Sequence, residues 1–577
     1  MLSALQIGTL TVTILPLVSA RAVGAPITRQ SSNLIWSDCP DSDTTQCAFF
    51  DVPRDYSNPT EDDTVSIFMR KLPANVSAEN RLGTIITNPS GLGSPGGAFI
   101  LNYGEQLSTI VEDRYDISGF DSRGVNLTAP WTNCFTTEAD AVLLEYQMDV
   151  VPYLPSSLDV DRALVKKLSA IQAEHNAACL ANGNRKMLES VGTASVVQDM
   201  VRMVEALGED SINYWGWSYG TVLGSTFAAM RPDLVNRMVL DGVVNAESYY
   251  NDVWQFGRDG MVDTHKTLTG FLSTCAEAGP KHCAFAVPPE GSNTTQTTET
   301  LRDRLNAIYT RLNERPITVA RSPVGPGIFT ASDLQKSLLS ILYDPGLWSG
   351  AMQGNVQTAN ILTKLEQGDV EDAYTGIYGS YANVTRQPYD ANVFNRSMQR
   401  HSWQDSSRMI ACSDAAPVNV SVDVYTNYFR ELGRISPVGE QWASQVGICN
   451  GWSFRANQRY TGPWSTTDGL KKTKFPILFL SQDADPESAT LLIQHGFGHT
   501  TSFHPSLCTY KNTRDYFIDG KVPSNGTECT PEPGYIYPTN TNSKRASLDE
   551  REVELVGALK KLAEARSSFN PATWGLV

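Results

Sequence analysis

Short apolar, β-branched runs alternate with amphipathic stretches over the first 240 residues. Runs at 47–52, 65–70, 84–88, 115–120, 212–215 and 237–240 predict strands, and runs at 477–480 and 489–494 predict two more. Between them, 191–207 reads as an amphipathic helix with Val197, Met200, Val201, Val204 and Leu207 on one side. Residues 221–230 are small and apolar, suited to packing beneath a sheet. Strand–helix alternation of this kind predicts an α/β fold with a mostly parallel central sheet. From 240 to 475 the rhythm stops. Helical patterns dominate there, four cysteines occur, and 291–300 is a polar break. The stretch is too long for a loop, so it predicts an inserted, mainly helical cap with the polar break as an exposed loop. A Gly-, Pro- and Asn-rich segment at 508–529 and a charged helix at 547–565 complete the chain.

Composition narrows the classes of function. Of 577 residues, 41% are hydrophobic and 19% charged, enough to bury a large core. The net charge of −16 argues against a nucleic-acid or anionic-membrane partner, both of which require basic patches. Residues 1–20 have the outline of a signal peptide, an apolar run ending in Val18-Ser19-Ala20, although no Lys or Arg precedes the run. No later run is long enough to cross a bilayer, so no membrane anchor is expected.

Ten cysteines stand in neighbouring positions without a CxxC pair, which favours disulfides over zinc. Pairing between sequence neighbours is the simplest scheme: Cys39–Cys47, Cys134–Cys179, Cys275–Cys283, Cys412–Cys449 and Cys508–Cys529. Seven glycosylation acceptors, Asn75, Asn126, Asn293, Asn383, Asn395, Asn419 and Asn525, point to the same extracellular setting. The expected division is a signal peptide (1–20), the first part of a core (36–243), a cap (244–470), the rest of the core (471–530) and a tail with a helix (531–577).

Gly216-Trp217-Ser218-Tyr219-Gly220 is a G-x-S-x-G motif. Chance would produce about 0.2 such matches in a chain of this length, given typical Gly and Ser usage. Its frame adds weight. Residues 212–215 read as a strand and 221 onward as a helix, the setting of a nucleophile elbow that lifts a serine oxygen clear of a sheet. A serine nucleophile needs a base, and the base needs an orienting acid. Both follow where the last strands end: Asp485 as acid, with Asp483 as the alternative, and His499 as base. The backbone N–H of Tyr219 is one expected oxyanion donor. The second is expected from the loop Asn88-Pro89-Ser90-Gly91-Leu92-Gly93-Ser94-Pro95-Gly96-Gly97, which has no G-K-[ST] and is not a phosphate loop. His495 and His499 are four apart, but the glycines between them and the absence of H-E-x-x-H argue against a metal, and His495 and His504 are expected to be structural or surface residues. No cofactor is expected.

These residues resemble the secreted tripeptidyl-aminopeptidase-like α/β-hydrolases, a proline-iminopeptidase-related group with a TAP-like C-terminal module. The resemblance rests on Cys47–Tyr56, the Asn88–Gly97 loop, Asp121-Ser122-Arg123-Gly124, the elbow, Asp241-Gly242-Val243, Cys412 and Cys449 with Gly451-Trp452, and Gly498-His499 with Ser506-Leu507-Cys508. It implies an α/β-hydrolase core, a lid-like cap, and peptide or ester hydrolysis by Ser218, His499 and Asp485. It also implies that Gly91 donates to the oxyanion hole. One departure stands out. Only thirteen residues separate Asp485 from His499, whereas the family places a helix there before its last catalytic strand. A strand at 489–494 is then expected to leave its parallel place or to reach it by a strained link, with Asp485 poorly placed or replaced by Asp483.

Three readings follow: a secreted serine exopeptidase, a carboxylesterase on small esters, and a binding protein on a hydrolase scaffold with a decayed triad. An acidic cluster above Ser218 would favour the first and an apolar pocket the second. A monomer is expected.

Overall fold

The computed structural model describes residues 34–89, 91–148, 162–349, 358–379, 403–484, 492–524, 526–538 and 548–568. Its strands are β1 (Ser37–Asp38), β2 (Gln46–Pro53), β3 (Thr64–Leu72), β4 (Thr84–Asn88), β5 (Asp116–Phe120), β6 (Ile212–Trp217), β7 (Val235–Asp241), β8 (Ile317–Val319), β9 (Gly327–Phe329), β10 (Leu478–Ala484), β11 (Leu492–Phe497) and β12 (Thr527–Cys529). Ten of them form one sheet in the order β1-β2-β3-β5-β4-β6-β7-β10-β11-β12. The edge from β1 to β5 is antiparallel, and every pairing from β5 through β12 is parallel.

Alternation along the central strands sorts side chains to two covered faces. Ile86 and Tyr214 join the helices Thr193–Ala206 and Tyr219–Met230 on one side. Ile85 and Trp215, their chain neighbours, join the helices Gly96–Ile110, Leu507–Asp519 and Glu550–Ser568 on the other. The helices that follow β7 build a separate core around Phe271, Leu305, Leu338, Leu362 and Phe429. This cap also contains the small hairpin β8–β9, which the apolar pattern did not predict.

Of the two alternatives expected for the strand before His499, departure from its parallel place is excluded, and the second, a strained link, is left untested. β11 is parallel to β10, and it runs to Phe497, three residues beyond the end that the pattern indicated. Leu480 pairs with Leu492, so the chain leaving Ala484 climbs back only about four residues, or roughly 13 Å at 3.3 Å per residue. The connection 485–491 can span roughly 23 Å when extended, so no helix is required. That connection, which contains Asp485, lies outside the described residues.

All five disulfides join sequence neighbours: Cys39–Cys47, Cys134–Cys179, Cys275–Cys283, Cys412–Cys449 and Cys508–Cys529. Of the glycosylation acceptors, Asn75, Asn293 and Asn419 are exposed, while Asn383, Asn395 and Asn525 lie outside the described residues, as does the 1–20 segment. Asn126 must be withdrawn. It is buried, and its amide donates to Asp121 Oδ2 at 3.0 Å, which leaves no space for a glycan.

Cys412–Cys449 closes the loop that joins the helix Trp403–Asp414 to the cap, with a sequence separation of 37. Loop-closure entropy for that length gives about 3–4 kcal/mol. A Cys412→Ala/Cys449→Ala double variant is expected to lose that much stability in denaturant unfolding; a change below 1 kcal/mol would contradict this entropic account.

Candidate active site

Ser218 occupies the single residue between β6 and the helix Tyr219–Met230, with φ 54° and ψ −118°. A left-handed non-glycine residue costs on the order of 1–3 kcal/mol and persists only where its surroundings enforce it. Here they do. Ser218 N donates to Asp241 O at 2.9 Å, and the Thr221 hydroxyl donates to Ser218 O at 2.6 Å. The flanking glycines are required by space: a Cβ on Gly216 would lie 2.4 Å from Gly220 O, and one on Gly220 2.6 Å from Asn88 O. Ser218, Tyr219 and Gly91 line one cavity, walled by Leu92, Val222, Val244, Tyr249, Phe256 and Trp442. The expected nucleophile and both expected oxyanion donors therefore meet at one place.

The loop bearing Gly91 is gripped from two sides. On the core side, the Asp121 carboxylate accepts from Gly97 N at 2.9 Å and Leu127 N at 3.1 Å. Burial pushes its pKa up to about 6. Arg123 of the same turn forks onto Asp199, two contacts of 2.7 Å each, and Tyr56 donates to that carboxylate at 2.8 Å. The D-x-R-G turn is thus a buried frame for the loop. On the cap side, the Ser407 hydroxyl donates to Leu92 O, and Ser406 donates to Gly124 O at 2.8 Å. A Cβ on Gly93 would lie 2.6 Å from Ser406 Cβ, so the loop and the helix Trp403–Asp414 are in close contact.

Asp414 ends that helix inside the pocket wall. It accepts from Thr193 N at 2.9 Å, from the Thr193 hydroxyl at 2.5 Å and from Tyr249 Oη at 3.0 Å. Tyr219 Oη lies 2.6 Å from the same Thr193 hydroxyl. Burial raises the Asp414 pKa to about 6.

His499 follows β11 on a constrained loop. Gly498 has φ 95° and Thr500 has φ 66°, the latter exceptional for a β-branched residue. His499 N donates to Tyr343 O at 2.8 Å, and its ring meets the Tyr343 ring edge-on at 4.9 Å. Gln482 Nε2 donates to Gly498 O at 3.1 Å and Thr500 O at 2.5 Å. Asp241 completes the grip, accepting from Thr501 N at 2.8 Å and the Thr501 hydroxyl at 2.7 Å. One residue thus carries the backbone acceptor for Ser218 and the side-chain acceptor for the histidine loop. His499 is fully buried and is not among the residues lining the Ser218 cavity. Asp483 belongs to β10.

His504 and His495, the other two histidines of this segment, each have a local partner. His504 Nδ1 accepts from Phe497 N at 3.3 Å, and burial pushes its pKa down to about 3. His495 is half-exposed, 3.2 Å from Glu528. Among the described residues, one grouping is compact enough for a metal, Cys134, His175 and Cys179, but its two sulfurs are bonded to each other.

Sequence reasoning missed Asp241 in this role, together with Gln482, Ser407 and Asp414. The available signals were a polar Gln within an apolar strand and an Asp closing another. Neither names its partner.

Two family models match the chain, an alpha/beta hydrolase fold over residues 88–278 and a TAP-like protein over residues 435–529. These matches support a TAP-like α/β-hydrolase. The hydrolase is 25% identical to serine protease Hip1 of Mycobacterium tuberculosis, over 84% of this chain and 87% of that one. It is 31% identical to the tripeptidyl aminopeptidase of Streptomyces lividans over 36% and 38%. It is 24% identical to carboxylesterase B of Mycobacterium tuberculosis over 88% and 92%. It is a serine hydrolase.

Two predictions arise from the hydrolase's site. Asp241→Ala removes both acceptors of Thr501 and frees a strained loop. A shift near 1 Å there is expected to lower kcat about 10²-fold with KM changed little, read by steady-state kinetics; an unchanged kcat would contradict the clamp. The second concerns pH. His504 stays neutral in the fold, whereas the unfolded chain protonates it below about 6.5, so stability falls as pH drops from there toward 3. Relative to His504→Asn, the wild type should lose about 2 kcal/mol between pH 8 and 5, measured by urea unfolding at each pH.

Proposed function

We propose that this hydrolase is a secreted serine exopeptidase that seats an apolar residue of the scissile acyl group in the chamber beside Ser218. The observation that carries this reading is the left-handed Ser218 at the foot of an apolar, cap-covered cavity that also holds Tyr219 and Gly91. Ser218 Oγ attacks the scissile carbonyl while His499 takes its proton. The developing oxyanion lies against the N–H groups of Tyr219 and Gly91. His499 then protonates the leaving amine, and water resolves the acyl-enzyme. Asp485 orients His499 in this scheme. The names of the serine protease and tripeptidyl aminopeptidase relatives support peptide substrates.

A second reading, a carboxylesterase, keeps every step and changes the leaving group from amine to alkoxide. One observation favours it: among the described lining residues of the chamber there is no carboxylate to receive a free N-terminal ammonium. The name of the carboxylesterase B relative agrees with it.

The protein is expected to be labelled by a fluorophosphonate probe, and Ser218→Ala to lose labelling together with about 10⁴–10⁶ of the rate. Turnover of free-amine peptide amides above N-blocked ones and short esters is the expected order. Ester turnover alone would select the second reading, and labelling that survives in Ser218→Ala would overturn both.

A further inference from the structure

The Ser218 chamber does not end at Trp442. A second cavity adjoins it, with Leu92, Tyr249, Phe256 and Trp442 lining both. Beyond these shared residues the walls come from the cap and the helix Trp403–Asp414, with Val253, Ala411, Val446 and Ile448 as the apolar surface. No charged side chain stands among its described lining residues. Of its polar lining residues, Ser407 donates to Leu92 O and Tyr249 donates to Asp414, while Gln445 adds a neutral amide. An unpaired ammonium or carboxylate there would bear its full desolvation cost, whereas each methylene placed there is removed from water.

We infer that this outer chamber is a second substrate subsite, which takes the distal, uncharged apolar part of an extended acyl group whose carbonyl lies at Ser218. The inference rests on the serine-hydrolase reading above and adds the substrate class: acyl groups with two apolar portions in series, either two consecutive apolar residues of a peptide or a linear aliphatic acyl chain. A free amino terminus, where there is one, lies beyond the outer chamber. The subsite is also coupled to the chemistry. Ser407 lines the outer chamber and holds Leu92, the neighbour of Gly91, and Ser406 abuts Gly93. An occupant pressed against Ser407 and Leu92 therefore bears on the loop that supplies an oxyanion donor. Distal occupancy should then raise kcat as well as lower KM, the pattern of remote binding energy used in the transition state.

The test is a series of p-nitrophenyl esters from acetate to decanoate, run beside peptide p-nitroanilides whose residue before the scissile one is Gly, Ala, Leu or Phe. The wild type is expected to gain in kcat/KM by up to about fourfold per added methylene until the outer chamber is full, with part of the gain in kcat. Ala411→Phe fills the chamber, and the long-to-short ratio of kcat/KM should fall at least about tenfold, the equivalent of two methylenes. If that variant does not fold, Val446→Ala decides instead, since enlarging the chamber should move the optimum to longer groups. A flat profile in the wild type, or a ratio unmoved by the deciding variant, overturns the inference while leaving a Ser218-dependent hydrolase intact. An absence of Ser218-dependent turnover on every substrate overturns the function and this inference with it. The two arms separate the sources: a gain confined to the peptides assigns the subsite to a side chain, and one confined to the esters assigns it to an aliphatic chain.

Discussion

Asp241 joins two strained turns that lie far apart in sequence. Its carbonyl accepts from Ser218 N, and its carboxylate accepts twice from Thr501, two residues beyond His499. Neither turn is stable as local structure. Ser218 and Thr500 both adopt left-handed backbone that their side chains disfavour. The parallel sheet makes the joint possible. β6, β7 and β10 lie side by side, so the ends of β6 and β10 flank the residue that closes β7. Gln482, in β10, grips the same loop from the other side. Pairing of rigid strands is thus converted into placement of the turns that bear Ser218 and His499.

The wall opposite the sheet obeys a different rule. Its residues come from the cap and from one short helix, Trp403–Asp414. That helix holds the Gly91 loop through Ser407 and the Tyr219–Thr193–Tyr249 cluster through Asp414. These contacts are hydrogen bonds to buried groups, so losing any one leaves an unsatisfied partner in a dry place. The cavity is accordingly a joint product of core and cap.

The sheet was legible because its strands are written in Ile, Val, Trp and Tyr, and the elbow because Gly216 and Gly220 leave no alternative at 2.4–2.6 Å spacing. The disulfide neighbours were legible for a similar reason: short separations on a stiff fold bring them together. Individual polar clamps were not. Thr501 is 260 residues from Asp241 and Leu92 is 315 residues from Ser407, and nothing in local periodicity connects such pairs. The far end of β11 was misread because the apolar run stops at Gln494, whereas pairing to β10 carries the strand on to Phe497. Asn126 satisfied the glycosylation motif, but the Asp121 contact that buries it depends on the turn at 121–124.

The helix Trp403–Asp414 also sets an order in time. A ribosome delivers Ser218, its glycines and the strands on either side of it long before it delivers Ser407, Asp414 or Trp442. Until those residues arrive, the turn that bears the serine has no roof, the Gly91 loop has one of its two grips, and the apolar wall faces water. The histidine comes later still. The nascent polypeptide therefore carries the parts of a hydrolase without their arrangement. It becomes competent only when the last third of the chain has folded back onto the first.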